Sequence, residues 1–151
     1  MRYETIVIAT DFSEASLPAV KTGFKLAQDS EAEVYLLHVF NPPVGMDPMG
    51  TVAPSPDDLA AAAKSQLEGL VPEDTPEGVT VHSLVLRGMP TKTIAEFARE
   101  KDADLIIVGT HGRTGLGRLF MGSTAEALLR EAPCHVMVVK PRTKTAVPAG
   151  E

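Results

Sequence analysis

The chain has 151 residues, enough for one domain that buries roughly 68–70% of its unfolded surface, so neither a metal nor a disulfide staple is required. Its 44% hydrophobic and 23% charged content is that of an ordinary globular protein, and a single cysteine, Cys134, excludes an intramolecular disulfide. A formal net charge of −6 excludes broad electrostatic affinity for nucleic acid or anionic lipid, so any bound anion must be held by a local site.

The amino-terminal MRYETIVIATDF has an apolar run too short and too early for a secretory signal, and no stretch approaches the roughly 20 apolar residues that span a bilayer. A cytoplasmic protein without a membrane partner is expected. TIVIAT (5–10) predicts the first strand; its near-continuous apolar run suits a strand covered on both faces. Asp11-Phe12-Ser13-Glu14 fits a capping box, with Ser13 as the rival cap, and Leu17, Val20, Phe24 and Ala27 follow at helical spacing. EVYLLHVF (33–40) predicts the second strand. The stretch 41–55 holds Pro42, Pro43, Pro48, Pro54 and two glycines, and predicts a surface loop.

Ser55-Pro56-Asp57-Asp58 is a helix start, with a cap residue, a first-turn proline and acidic groups against the dipole; Ala-rich residues 59–70 continue it. VTVHSLVLRG (79–88) alternates more than the other strands and is expected nearer an edge. Pro90 opens a third helix carrying Ile94, Phe97 and Ala98. DLIIVGT (104–110) is a second fully apolar strand, a fourth helix runs from near Ser123 to about Glu131, and HVMVVK (135–140) closes the series. The domain spans 1–141, and the polar tail 142–151 is expected to fray.

Strands and helices thus alternate throughout, which predicts an α/β fold: an open five-stranded parallel sheet with right-handed crossovers and helices on both faces. The strand order 3-2-1-4-5 puts the topological switch between the first and fourth strands. Ligands in such sheets bind outside the carboxyl ends at that switch, which here are Thr10-Asp11 and Gly109-Thr110.

The stretch GTHGRTGLGRLFMGST (109–124) begins at that point. No Walker A loop is present, since neither Gly112 nor Gly117 leads into Gly-Lys. A G-x-G-x-x-G fingerprint fails because Gly115-Leu116-Gly117 is followed by Phe120, and no G-x-S-x-G elbow occurs. What remains is Gly109-x2-Gly112-x9-Gly122-Ser123. Gly112 can take positive φ and turn amides inward. Ser123 and Thr124 fall where free helix N–H groups and the dipole favour an anion. A tight turn and an ordinary cap would use the same residues, so composition leaves both readings open.

The full arrangement is more specific. IVIATDFSEAS, LLHV, RGMPTKTI and VGTHGRTGLGRLFMGSTAEALLREAPCHVMVVK resemble the universal stress protein family over nearly the whole domain, and the last block resembles its ATP-binding branch. That resemblance implies a fold of the adenine nucleotide alpha hydrolase type. It implies ATP, ADP or AMP as ligand, possibly with Mg²⁺, a role as a nucleotide-dependent regulator in stress response, and a homodimer paired through strand 135–140.

By position, the resemblance makes Asp11 the nucleoside contact, with Ala9 and Thr10 before it; a carboxylate there accepts from a ribose hydroxyl or an adenine N–H. It makes Val39 a backbone contact to adenine and Val108 an apolar wall. Gly109, Gly112, Gly122, Ser123 and Thr124 become phosphate contacts, and His111 lies in the same loop. Ala9 departs from the proline often found two residues before the aspartate.

Arg113 and Arg118 are candidate phosphate clamps or solvated loop residues, and Arg87 is a more remote candidate. His111 suits a turn or a ligand contact. His38, inside an apolar strand, reads as a satisfied core histidine, and Cys134 as an inert thiol. No metal cluster or catalytic set is evident. At most slow ATP hydrolysis is expected, and a nucleotide-free dimeric interaction module is the alternative. A small-molecule enzyme of the adenylate-forming kind finds no nucleophile or acid–base pair here.

Overall fold

The computed structural model describes residues 1–42, 49–50, 54–110 and 122–142. Its elements are β1 (Thr5–Ala9), a 3-10 turn (Glu14–Ser16), α1 (Leu17–Ser30), β2 (Glu33–Phe40), α2 (Pro56–Leu70), β3 (Thr80–Arg87), α3 (Pro90–Glu100), β4 (Leu105–Gly109), α4 (Ser123–Glu131) and β5 (His135–Val139). The five strands form one sheet in the order β3-β2-β1-β4-β5, and each neighbouring pair runs parallel. The expected order is therefore observed, and β3 lies at an edge as its weaker apolar pattern implied. Most of the 41–55 loop and of the 142–151 tail lies outside the described residues.

The apolar runs are explained by two cores. Ile6, Ile8, Val34, Leu36, Leu105 and Ile107 pack with Val20 and Phe24 of α1 and Leu67 of α2. The alternate residues Val7, Leu37, Ile106 and Val108 pack with Ile94 and Phe97 of α3 and Leu128 of α4. Successive strand side chains point to opposite faces, so only a strand covered on both can be apolar at every position. Burying one such aliphatic side chain stabilises the fold by about 1.5–3 kcal/mol.

The start of α1 differs from the expected capping box. Ser13, the rival, is the cap: its hydroxyl accepts from the Ser16 amide at 3.2 Å and opens the 3-10 turn. Asp11 instead closes an Asx turn, its Oδ1 accepting the Ser13 amide at 2.9 Å. The physical reason is Phe12, whose φ of 66° takes the chain away from helical geometry immediately after Asp11.

Candidate functional site

A crevice of about 270 Å³ opens at the carboxyl ends of β1 and β4, on the face covered by α3 and α4. Of the residues expected at the site, Ala9, Thr10, Asp11, Val39, Val108, Gly109, Gly122, Ser123 and Thr124 all line it. His111, Gly112 and Arg113, together with Arg118, lie outside the described residues. Arg87 is engaged elsewhere, donating to Asp57 Oδ1 at the start of α2.

Sequence reasoning missed four lining residues: Ser16, Pro90, Ile94 and Ala125. Pro90 and Ile94 come from the first turns of α3, which crosses back over β2. Their signal was present in RGMPTKTI, whose proline begins a helix directly after a strand's carboxyl end. Ser16 and Ala125 carried no such signal.

The turn after β1 is held by a directional hydrogen-bond network. Thr10 continues the ladder, its amide donating to the Leu37 carbonyl at 2.9 Å. Its hydroxyl lies 2.7 Å from Ser16 Oγ, and Ser16 Oγ donates to the Ser13 carbonyl at 2.8 Å. Ser16 has one hydroxyl proton, so Thr10 must be the donor between them. Thr10 Oγ1 then accepts the Phe12 amide at 3.0 Å. Ser13 donates both its amide and its hydroxyl to Asp11 Oδ1, which sets the carboxylate's orientation.

This network stands against backbone strain. A bulky residue at φ 66° costs about 1–3 kcal/mol and persists only where its surroundings over-determine it. Here the Phe12 ring packs on His38 with centroids 4.4 Å apart, and His38 Nδ1 lies 2.9 Å from the Thr10 carbonyl oxygen. His38 is thus partnered, as expected, but half-buried and next to the site instead of deep in the core.

Gly109 is required by packing. A Cβ on it would come within 2.9 Å of the Ala15 carbonyl oxygen and 3.1 Å of Ser16 Cα. The end of β4 thus lies directly on the 3-10 turn, which brings the two halves of the crevice wall together.

Across the crevice, α4 begins at Gly122, the N-cap, with φ −59° and ψ 151°. Any residue can adopt those angles, so the use of glycine lies in the side chain it lacks. The Gly122 amide donates to the Thr110 carbonyl, which joins the two ends of segment 111–121. That amide is therefore already bonded within the protein, while Gly122 still lines the crevice. The amides of Ser123, Thr124 and Ala125 form the first helical turn, have no intrahelical acceptor, and carry the positive end of the dipole. Gly122 has no side-chain oxygen with which to cap them.

Asp11 is the one carboxylate among the described lining residues, and no cluster of three or more metal-ligating side chains occurs among the described residues. No described helix is long and apolar enough to cross a membrane. Cys134 is half-buried at the other end of the sheet, where burial, and then the Asp104 carboxylate, push its thiol above the usual range.

The family model described as "Universal stress protein family" matches residues 2–140. Universal stress protein MJ0531 of Methanocaldococcus jannaschii is 39% identical over 140 residues, spanning 91% of this chain and 82% of that protein. The solved structure of hypothetical protein MJ0577 from the same organism aligns with a TM-score of 0.77 at 26% identity, over 95% of this chain and 100% of that one. Two more distant structures share the fold. One is a universal stress protein in complex with cAMP (TM-score 0.65, 24% identity, 94% and 100% coverage). The other is the universal stress protein from Archaeoglobus fulgidus in complex with dAMP (TM-score 0.58, 23% identity, 93% and 100% coverage).

Proposed function

Because the chain belongs to the universal stress protein family, we propose that its crevice binds an adenine nucleotide, ATP first among the candidates, and that binding makes the protein a nucleotide-dependent regulator in stress response. The observation that carries this reading is the start of α4. Three amides without an intrahelical acceptor border a crevice at the sheet's switch point, and their N-cap is a glycine that leaves them uncapped. A phosphate group supplies the acceptor oxygens and negative charge that such a terminus lacks. The cAMP and dAMP complexes of the two distant neighbours support the choice of an adenine nucleotide over other anions.

In this reading the base lies against Ala9, Val39 and Val108, and Asp11 accepts from a ribose hydroxyl or an adenine N–H. The phosphates run toward Gly109, Ser123 and Thr124, with Gly112, His111 and Arg113 supplied by segment 111–121. Mg²⁺ would enter with the nucleotide, held by phosphate oxygens. With one carboxylate among the described lining residues and no second acid to pair with it, hydrolysis is at most slow. A second copy of the chain pairs along β5, whose Val136, Met137, Val138 and Val139 remain half-exposed at the sheet edge. The protein acts in the cytoplasm.

Isothermal titration with ATP, ADP and AMP, each with and without Mg²⁺, tests the ligand; absence of any binding below millimolar overturns the proposal. Mass spectrometry of nucleotide released from freshly purified protein distinguishes ATP from its shorter relatives. Light scattering that finds only monomer at micromolar concentration rules out the β5 pairing.

A further inference from the structure

His38 lies behind the crevice wall, not in it. Along β2, Leu37 and Val39 belong to the face that α3 and α4 cover, whereas His38 alternates with them and shares the α1/α2 face with Leu36. Phe12 also packs on that second face. Between them stands the Thr10–Asp11–Phe12 turn, which carries the site's carboxylate on the opposite side.

A carbonyl oxygen can only accept, so His38 Nδ1 carries the proton and donates to Thr10 O. The same ring lies against Phe12 at 4.4 Å and follows Phe40 at 6.3 Å. Its two contacts therefore grip the residues immediately before and after Asp11. Without them, Phe12 keeps its packing on that cluster but loses two of the contacts that oppose its return from φ 66° to the broad negative-φ regions. That return would break the Phe12 amide's bond to Thr10 Oγ1 and displace the Ser13 amide from Asp11 Oδ1.

We infer that His38 is a positioning residue of the nucleotide site: its Nδ1–H on Thr10 O and its ring on Phe12 hold the left-handed turn that aims Asp11 into the crevice. This rests on the crevice being a nucleotide site. The device works through main-chain geometry, so it touches no ligand, and it acts in the free protein as well as in the complex.

Two variants separate its halves. His38→Phe keeps a ring against Phe12 and removes the donor. His38→Asn places Nδ2 near the position of Nδ1, keeping the donor and removing the ring. Amide exchange by NMR on nucleotide-free protein reads the turn directly at the Phe12 and Ser13 N–H groups. Titration with ATP reads the site, and a urea midpoint reads global stability. In His38→Phe, those two amides are expected to exchange about tenfold faster relative to the strand amides, and ATP to bind about tenfold more weakly. His38→Asn is expected to recover most of both losses.

Exchange that rises only in step with global unfolding, or unchanged ATP affinity in His38→Phe beside a wild type that binds ATP, overturns the inference alone. A wild type that binds no adenine nucleotide overturns the nucleotide reading, and this one with it. If His38→Phe does not fold, failure of His38→Asn to keep wild-type affinity decides against the donor's role.

Discussion

The two ends of the sheet gather similar chemistry and use it differently. At the amino end, Asp104 Oδ2 accepts the amides of Glu4 and Thr5 at 2.7 and 2.8 Å, stitching β4 to β1. Nearby, the Tyr35 hydroxyl donates to Glu33 Oε1, which also lies 3.3 Å from His82 Nε2. At the carboxyl end, Asp11 is likewise held by backbone and hydroxyl donors, but there the helix across the crevice begins with amides left uncapped. Among the described residues, one end is closed by the protein's own acceptors, whereas no side-chain cap is bonded to the first amides of α4 at the other. A parallel sheet makes this difference natural, because the crossover helices begin at its carboxyl end and direct their positive termini there.

Supplying the missing acceptor from the protein itself is the sharpest way to break that contrast. Gly122→Asp gives α4 a favoured N-cap and places a carboxylate where phosphate is expected. ATP affinity should fall about 100-fold or more by titration calorimetry, while the thermal midpoint stays the same or rises slightly. A variant that binds ATP as the parent does would contradict the open-end reading.

Gly109→Ala tests whether the carboxyl end needs close backbone approach. Its Cβ meets backbone atoms of Ala15 and Ser16, which can yield only by moving the turn. A loss of about 1–3 kcal/mol in urea unfolding is expected, with weaker ATP binding in the fraction that folds.

Asp104→Ala should do the reverse at the closed end. Removing an acceptor shared by two amides costs about 1–2 kcal/mol, discounted for partial exposure, and leaves ATP affinity unchanged. A change in affinity would mean that the two ends are coupled.

The smallest effect is a pH dependence from the same end. The folded chain holds the Cys134 proton more tightly than the unfolded chain, because burial, with Asp104 adding to it, raises the thiol. Stability is therefore full below the unfolded thiol's range, about 8.5, and declines as pH rises through it toward the folded value. The urea midpoint should fall as pH rises above the unfolded thiol's value, and fall less in Cys134→Ala. Tyr35, raised by its bond to Glu33 and then by burial, acts in the same direction at higher pH in both proteins.

Most of the fold was legible because its signals are local or periodic. TIVIAT and DLIIVGT announce strands covered on both faces, and Ser55-Pro56-Asp57-Asp58 marks a helix start that the structure caps through Ser55 and the Asp58 amide at 3.1 Å. Nine of the twelve expected site residues meet at one crevice because the strand order puts Thr10 and Gly109 side by side. The other three, His111, Gly112 and Arg113, fall outside the described residues.

What escaped were relations between segments distant in the chain. Gly109 was read as a turn or phosphate glycine, yet the contact that demands it is with Ala15 and Ser16. His38 was read as a core residue, yet its partner is a carbonyl 28 positions earlier.

The chain's own residues thus determined the alternation of strands and helices, the parallel sheet and the family resemblance, while the order of the strands is read from the structure. Hydrophobic periodicity and turn chemistry act over a few residues and are written where they act. The tertiary structure alone decided which hydroxyl caps the 3-10 turn ahead of α1, that the Gly122 amide is already bonded to Thr110, and what holds Asp11 in place. Those outcomes depend on distances between segments that become neighbours only when the sheet has formed.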